Sequence, residues 1–555
     1  MFSPLPGVQA PGSGGASPSQ GTSTPTDERR EPLMTTVRTQ PHHDDGMHSF
    51  PFRSRAGVRR ATARAGVTAT ALAVSVVLGG GSASAVGPWG PTAPPNPFLG
   101  PVGTSTMHGD AGSSDTTPLA GPGAGRVTVG ATSFASACPT VLQGSDSMVV
   151  ALCTTMIGRN PTVHLIDLGG SGSSGSADGL GSSDLGSVAA GSTGGRSAGT
   201  SLAELELPKG SLLGGVYAYL DNNDRLVAVD GNRRLVRVGH HNSGGTWSLS
   251  VDESVDLSGV IAADDSVTGL APDWAGNVWF ATGAGRVGLV DGAGTARTVD
   301  LPAGERVENS ISTSPDGTSV ATTHALYQLS AAPGGAPHVD WRAPYDRGSA
   351  RKPGQLSWGT GSTPTYFGPS TGHEYVTIVD SADTRVSLLV YRVSDGQEVC
   401  RTPVLAKGGP GSENSPIAVG SSVFVAGTYG YPYPAVPENA GPSVPASAPF
   451  AGGMTRVDVG AGGCTVAWDT DVKSSAVPRL STADDTVYTV LRKGTGGALD
   501  GFAYAAIDPA TGAVRATADL PGSTLNDTIQ MAGLITAEGD LVQGTLNGIV
   551  RVSRG

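Results

Sequence analysis

The chain has 555 residues, a net charge of −12 and a hydrophobic fraction of 38%. An acidic chain without a visible basic stripe argues against nucleic acid or an anionic membrane as its partner. Glycine is abundant at 83 residues, and aromatic residues make up only 5% of the chain. This composition agrees with a large all-β domain rich in short strands and turns.

The first 85 residues are predicted to precede the fold. Residues 1–52 are rich in Pro, Ser, Gly and His without periodicity, so we interpret them as a disordered or wrongly started lead. Residues 53–85 combine a basic stretch, an apolar stretch and a small-residue end at Ala83-Ser84-Ala85, which is the pattern of a secretory signal. The Arg59-Arg60 pair leaves twin-arginine export open as an alternative to the general secretory (Sec) route. We therefore predict a secreted protein that keeps no membrane anchor after cleavage.

Residues 86–124 are rich in Pro and Gly and show no strand pattern. Phe98 and Leu99 are predicted to anchor this segment across one face of the fold. The segment also contains His108 and Asp110. These two residues either reach the interior as acid/base groups or ligands, or they belong to a disordered linker.

From about Cys138 onward the chain repeats short strand-and-turn modules. In one module a turn and strand at residues 271–281 are followed by a strand that closes on Asp291-Gly292. Such pairs tolerate the backbone of tight hairpins, and the β-branched runs between them are typical of strands. The spacing of roughly 35–60 residues per module matches a four-stranded propeller blade.

The recurrence predicts an all-β fold, a single β-propeller over residues 125–555 with eight four-stranded blades. Seven blades are the alternative if the brief fourth module, residues 314–329, is not an independent blade. The last module lacks a final strand, and residues 125–134 are predicted to supply it. Pairing of the two chain ends would close the ring and remove exposed sheet edges.

Four cysteines follow the signal, an even number that suits an exported protein. Cys138 and Cys153 flank a turn and can meet across a hairpin, whereas Cys400 and Cys464 fall in neighbouring modules. Among the three pairings that four cysteines allow, we predict 138–153 together with 400–464. Free or metal-binding thiols are the alternative. No Cys-x-x-Cys or paired His spacing supports them, so no metal site is predicted.

Two insertions interrupt the modules. Residues 169–201 are almost entirely Gly, Ser and Ala, which indicates a flexible hairpin tip. Residues 431–453 are rich in proline, which favours extended backbone. The second insertion is either a lid or docking arm, or a tolerated surface insertion.

Several modules begin with small polar residues, at the point where the first strand of a propeller blade lines the central channel. These residues either form a polar collar around a small ligand at one channel mouth, or they only solvate a narrow tunnel. His324 is expected to approach the same rim. The collar candidates are Asn309, Ser310, Thr363, Thr365, Asn414, Ser415 and Asn526.

Short motifs stand out along the chain: Asn96-Pro-Phe-Leu-Gly-Pro, Met107-His-Gly-Asp110, Ala271-Pro-Asp-Trp-Ala-Gly-Asn-Val-Trp279, Lys352-Pro-Gly-Gln355 and Gly361-Ser-Thr-Pro-Thr365. Together they resemble a family of exported propellers seen largely in actinobacteria, similar in repeat form to pyrroloquinoline-quinone-like propellers. The resemblance implies fold and export, and no established activity accompanies it. Quinone dehydrogenases of this fold use calcium, a catalytic Asp, a stacking Trp and often adjacent cysteines. This chain has no Cys-Cys pair, so a bound quinone is not expected and any cofactor is unknown.

The leading functional prediction is a secreted, non-catalytic binding or interaction propeller. It would hold a small molecule, a glycan or a cell-envelope protein at one channel mouth, and we expect a monomer. The alternative is a hydrolase, lyase or oxidoreductase at that mouth, with His108, Asp110 and His324 as acid/base groups. Fold alone does not decide between these two classes.

Overall fold

The structure, a computed structural model, describes residues 89–169, 196–209 and 217–555. Strands dominate this part of the chain, and its helical elements are two short 3-10 turns, η1 (Glu438–Ala440) and η2 (Thr524–Asn526). The predicted lead and signal, together with residues 170–195 of the Gly-Ser insertion, lie outside the described residues. No helix in the described part of the chain is long and apolar enough to span a bilayer.

Eight four-stranded antiparallel units, numbered here as blades 1 to 8, follow one another along the chain. Two strands precede blade 1, namely β1 (Thr116–Thr117) and β2 (Val127–Ser133). Blade 1 contains β3 (Ser136–Gln143), β4 (Val149–Thr155), β5 (Pro161–Asp167) and β6 (Thr200–Glu206), and blade 2 contains β7 (Tyr219–Leu220), β8 (Leu226–Val229), β9 (Arg234–Ser243) and β10 (Thr246–Asp256). Blade 3 contains β11 (Val267–Pro272), β12 (Val278–Thr282), β13 (Arg286–Val290) and β14 (Ala296–Asp300), and blade 4 contains β15 (Ser312–Ser314), β16 (Gly317–Ala321), β17 (Ala325–Ala331) and β18 (Pro337–Pro344). Blade 5 contains β19 (Thr365–Phe367), β20 (Tyr375–Val379), β21 (Ser387–Arg392) and β22 (Glu398–Pro403), and blade 6 contains β23 (Ile417–Val419), β24 (Ser422–Ala426), β25 (Met454–Gly460) and β26 (Gly463–Thr470). Blade 7 contains β27 (Arg479–Ser481), β28 (Thr486–Arg492), β29 (Phe502–Ile507) and β30 (Val514–Asp519), and blade 8 contains β31 (Leu534–Ile535), β32 (Leu541–Thr545) and β33 (Gly548–Arg554).

The fourth strand of blade 8 comes from the other end of the fold. β2 pairs antiparallel with β33, from Val127 opposite Arg554 to Ser133 opposite Gly548. The predicted closure is therefore confirmed. The brief fourth module is a complete blade, so the count is eight rather than seven. The protein is an all-β propeller.

The hydrophobic core lies between neighbouring blades all around the ring. Trp279 of blade 3 packs with Tyr327 of blade 4, for example, and Val149 of blade 1 packs with Val542 of blade 8. Strands near the channel are buried on both faces, as in β24, whereas outer strands such as β30 alternate between exposed and partly buried positions. This explains why several runs read as continuous apolar stretches.

Recurring aspartate turns connect the strands. Asp221, Asp230, Asp273 and Asp291 each accept hydrogen bonds of 2.8–3.0 Å from the backbone N–H groups two and four residues further on. This carboxylate contact stabilises a left-handed residue three positions after the Asp. That residue is Asp224, Arg233, Gly276 or Gly294, with φ between 58° and 86°.

The two predicted disulfides are present. Cys138 and Cys153 link the first two strands of blade 1, and Cys400 and Cys464 link the outer strands of blades 5 and 6. The pairing predicted from the sequence is confirmed. The second bridge joins strands from two neighbouring blades, so it ties the ring at its periphery.

Because each blade runs antiparallel from the channel outward, its loops lie at two ends of the ring. Loops that join first to second and third to fourth strands lie at one end, which we call the plug face. Loops that join second to third strands, and connections from one blade to the next, lie at the other end, which we call the loop face.

Residues 99–121 fill the central channel and form a plug. Carbonyl groups of the plug accept hydrogen bonds of 2.8–3.0 Å from backbone N–H groups on the innermost strands of six blades. The pairs are Thr104 with Gln143, Ser105 with Leu220, Ala111 with Thr313, Gly112 with Tyr366, Ser114 with Ala418, and Asp115 with Leu480. β1 also adds a parallel strand inside blade 7.

Both ends of the plug emerge on the plug face. On the incoming side the Asn222 amide donates to the Pro97 carbonyl, and Trp89 donates to Asp485 at 2.6 Å. On the outgoing side the Gly121 N–H donates to Asp484 at 2.9 Å. The plug thus closes the channel from this face.

The proline-rich insertion lies on the opposite face. Residues 427–453 join β24 to β25 and form an arm across the loop face. The arm contacts the blade 3–4 connection through Asn439 and Glu308, the blade 4–5 connection through Val444 and Arg351, and the blade 7–8 connection through Tyr431 and Asp527.

Candidate functional site

The tip of the plug brings His108 against a carboxylate. His108 Nδ1 lies 2.9 Å from Asp115 Oδ1 and 3.2 Å from the hydroxyl of Ser415, which itself donates to Asp115 Oδ2. Ser415 immediately precedes blade 6, and Asp115 adopts a left-handed backbone with φ of 51°. All three side chains are buried.

This trio does not have the geometry of a catalytic triad. In a triad the imidazole contacts the carboxylate and the nucleophile through opposite ring nitrogens. Here Ser415 and Asp115 share Nδ1, and the Ser415 proton points to the carboxylate. His108 Nε2 has no hydrogen-bond partner in the described part of the chain. The arrangement positions the plug rather than activating Ser415.

A second buried cluster lies beside the first. The Arg479 guanidinium donates to the Met107 carbonyl and faces the carboxylates of Asp110 and Asp115. Asp110 accepts from the Ser114 N–H at 3.1 Å and from its hydroxyl at 2.5 Å. Burial raises the pKa of Asp110, and the hydrogen bonds from Ser114 oppose that shift. Burial lowers the pKa of Arg479, and the charges of Asp115 and Asp110 oppose that shift. Arg479 thus anchors the tip directly through the Met107 carbonyl, and its buried charge faces the two carboxylates without an ion pair to either among the described residues.

The cavity beside this tip is about 30 Å³ and is lined by His108, Asp110, Tyr217 and Ser310 among others. That volume suits water rather than an organic ligand. A quinone ring system does not fit there, and Trp279 and Trp341, which could stack on one, belong to the packing between blades. The plug therefore leaves no room for a cofactor at this point.

A polar cluster surrounds the channel mouth on the loop face. Tyr217 stacks on His108, with ring centroids 6.4 Å apart, and its hydroxyl lies 3.4 Å from the Asn309 side-chain oxygen. Burial raises the pKa of Tyr217, and the neighbouring Glu413 adds to the shift while the Thr363 hydroxyl opposes it. Burial also raises the pKa of Tyr433, from the arm, and the nearby Glu413 and Tyr217 raise it further.

Glu413 is the unusual member of this cluster. Burial raises its pKa to about 8, so its carboxyl group is largely protonated at neutral pH. The Leu356 N–H and the Asn309 side chain lie close enough to oppose this shift. Neither reaches full hydrogen-bond geometry, and both Glu413 oxygens remain without a partner among the described residues. Asn414 Oδ1 is buried and equally unpartnered within that part of the chain.

The predicted collar residues divide into two groups. Five of them surround the plug tip and the channel mouth: Asn309, Ser310, Thr363, Asn414 and Ser415. Thr365 lies in β19, and its hydroxyl donates to the Pro416 carbonyl at 3.1 Å, which joins blades 5 and 6. Asn526 lies in η2, and its amide donates to the Pro521 carbonyl.

His324 is not brought together with His108. It lies on the loop between β16 and β17, where its two ring nitrogens contact the Thr323 hydroxyl at 2.9 Å and Arg347 at 2.6 Å. Burial, together with the charge of Arg347, lowers the pKa of His324. The structure thus separates the two histidines that the enzyme hypothesis groups together.

Sequence reasoning missed several residues of this region. Gln530 accepts from the Asn414 amide at 3.0 Å and donates to the Ser474 carbonyl at 2.8 Å. Arg479 and Glu413 were also missed, although Glu413 directly precedes the predicted Asn414.

The string Gly195-Arg-Ser-Ala-Gly199 fits the Gly-x-Ser-x-Gly pattern. In the structure, however, the Ser197 hydroxyl contacts the Gly199 carbonyl and Thr132, not the strand–turn–helix elbow that the chemistry requires.

No metal centre is visible in residues 89–169, 196–209 and 217–555, because no three His, Cys, Asp or Glu side chains cluster there in a suitable way.

No protein-family model matches the chain, and no curated protein matches its sequence. Among solved structures, the Dos1 propeller is 8% identical over 77% of this chain and 96% of its own, with a TM-score of 0.43. BamB from Moraxella catarrhalis is 14% identical over 59% and 93%, and virginiamycin B lyase from Staphylococcus aureus is 11% identical over 60% and 93%, each with a TM-score of 0.34. The propeller assignment depends on the strand order of this chain, and the neighbours assign no activity to it.

Proposed function

We propose that this protein is a secreted, non-catalytic binding propeller that holds a small polar molecule or a glycan at the loop-face mouth of its channel. One observation carries the proposal. The Glu413 carboxyl group, Asn414 Oδ1 and His108 Nε2 are buried around this mouth without partners among the described residues. Buried polar groups are nearly always satisfied, so such a concentration favours an occupant that supplies hydrogen bonds.

The chemistry of the mouth favours an uncharged, hydroxyl-rich ligand. A protonated Glu413 can donate as well as accept, Asn414 Oδ1 accepts, and Tyr217 and Tyr433 supply aromatic surface. A few convergent polar groups beside aromatic rings are typical of small-molecule sites. The enzyme alternative has the His108–Asp115 contact in its favour. The shared Nδ1 contact argues against this alternative, because it leaves Ser415 donating to the carboxylate rather than to the imidazole.

The predicted signal and the two disulfides support export.

A binding screen tests the proposal. The protein secreted from the full chain is screened against glycans and small polar metabolites, and each hit is titrated against the Asn414→Ala variant. We expect at least one ligand to bind about tenfold more weakly to the variant, because one buried hydrogen bond is lost. The control is Lys407→Ala, an exposed loop-face residue, which should not change binding. The absence of any hit, or equal affinity for wild type and Asn414→Ala, would overturn the proposal.

A further inference from the structure

A separate cleft of about 720 Å³ opens on the loop face. Its walls come from the second loop of blade 1, the connections that follow blades 1, 2 and 3, and the tip of the arm at residues 435–439. A volume of this size lies within the range of small-ligand pockets. The Glu413 and Asn414 cluster at the channel mouth is not part of its lining.

The arm forms one wall of the cleft. The Asn439 amide donates to Glu308 Oε1 at 3.1 Å, and Glu308 is also paired with Arg306 at 2.6 Å. This contact ties a residue of the arm, which joins β24 to β25 within blade 6, to the connection between blades 3 and 4. The proline-rich insertion therefore supplies one wall of the cleft by reaching across the ring.

Charges of opposite sign line the cleft from different walls. At the blade 1 end, Arg159 and Lys209 are exposed neighbours, because Lys209 Nζ donates to the Gly158 carbonyl at 2.9 Å. Among the described residues of blade 1, no acidic side chain lines this end. On other walls, Asp264 and Glu438 are exposed and face the cleft from the blade 2–3 connection and the arm.

We propose that this cleft binds short zwitterionic peptides with free termini. The peptide carboxylate lies against Arg159 and Lys209, since guanidinium groups pair with carboxylates in a fork geometry. The peptide ammonium group lies against Asp264 and Glu438. The site is independent of the proposed ligand at the channel mouth, because the described lining of the cleft does not include Glu413, Asn414 or His108.

Alanine peptides provide probes that differ only in charge. Di-, tri- and tetra-alanine with free termini are titrated calorimetrically against the whole secreted protein, beside versions that are acetylated, amidated or both. We expect a free peptide to bind, the doubly blocked form not to bind, and the affinity to fall as ionic strength rises.

Single substitutions test which side chains bind the peptide carboxylate and which bind the peptide amine. Arg159→Ala and Lys209→Ala should each weaken binding of peptides with a free carboxylate by about two- to fivefold, the range for exposed charge pairs. They should leave amidated peptides unaffected. Asp264→Ala and Glu438→Ala should act in the same way on the free amine. These side chains are exposed, so the fold should tolerate the changes.

Lys407→Ala is the matched control, because Lys407 is an exposed loop-face lysine outside the cleft. Equal binding of the doubly blocked peptide, no binding of any alanine peptide, or an equal loss in Lys407→Ala would each overturn the proposal. Asn414→Ala should not change peptide affinity, so failure of this site is distinguishable from failure of the channel-mouth site.

Discussion

The two faces of the ring use their side chains differently. On the plug face the turns are short, and their aspartates mostly accept hydrogen bonds from the backbone or from neighbouring arginines. The loop face has long connections, and every lysine of the chain lies there: Lys209, Lys352, Lys407, Lys473 and Lys493. Many of the exposed large apolar side chains also lie on its loops: Met156, Ile157, Trp358, Val436, Val444, Leu499 and Leu525.

This difference indicates a division of labour. Carboxylates on the plug face stabilise turns and hold the plug, so they contribute to the fold. Side chains at the loop tips contribute little to folding and remain available to a ligand or partner, as is usual for loops held by a rigid scaffold. Substitutions on the two faces should therefore have different consequences.

Removing the plug anchor should give the largest effect. Arg479→Met leaves Asp110 and Asp115 buried without their cation, and breaking a buried charge cluster costs about 3–5 kcal/mol of unfolding free energy. Denaturant unfolding measures the loss. The control is Arg392→Met, which breaks the exposed pair with Asp395 and should cost less than about 1 kcal/mol. Similar losses in both variants would contradict a structural role for the plug.

The pH dependence of Glu413 should give the next largest effect. The pKa of Glu413 is about 8 in the folded protein and 4.5 in its ordinary state. Between these values the unfolded chain releases a proton that the folded chain keeps, so this group lowers stability as pH rises. Glu413→Gln has no proton to release. Its stability relative to wild type should therefore increase by about 1.4 kcal/mol per pH unit, or about 3 kcal/mol from pH 5 to pH 7.

Denaturant midpoints of Glu413→Gln and wild type, measured across this pH range, check the expectation. A constant difference between the two proteins would show that Glu413 is ionised throughout the range. The site would then suit a cation better than an uncharged ligand.

A turn aspartate on the plug face should come third. Asp273 accepts bonds from two backbone N–H groups, the Asn277 amide and the Trp279 indole. Asp273→Ala leaves the buried indole N–H without a partner and should cost about 2 kcal/mol. Asp471→Ala, at an exposed loop-face position, should change stability by less than about 0.5 kcal/mol. Thermal unfolding of the two variants compares the faces directly.

Apolar loop tips should have the smallest effect on folding. Ile157 and Leu499 are 92% and 93% exposed. Ile157→Ser and Leu499→Ser should change the unfolding free energy by less than about 0.5 kcal/mol, because neither side chain leaves water on folding. A loss of several kcal/mol in either variant would mean that the loop tips are packed rather than free.

The sequence was sufficient for the blades and their closure. Strand runs, turn residues and the missing last strand are local signals, and the cysteine pairs followed from their places in the modules. The plug was not predictable in the same way. Its order depends on hydrogen bonds to six blades rather than on any periodicity of its own. Arg479 is 372 positions from the Met107 carbonyl that it contacts, so no local pattern links them.

Site residues were predictable only where position in the module decided the outcome. Asn414 and Ser415 lie directly before an inner strand, and both reach the channel mouth. Asn526 occupies a similar place in the sequence, but η2 intervenes and Gln530 takes the mouth position. The packing of the η2 turn decides whether Asn526 or Gln530 reaches the mouth, and the polar composition of the segment does not reveal that packing.

Both legs of the plug leave the ring through the same face, so the segment is an inserted loop and not a thread. The ring can close around an empty axis and admit the loop afterwards, and no knot has to form. By the same route the loop can withdraw while the eight blades stay joined. The topology thus allows the plug to leave the channel without breaking the ring that surrounds it.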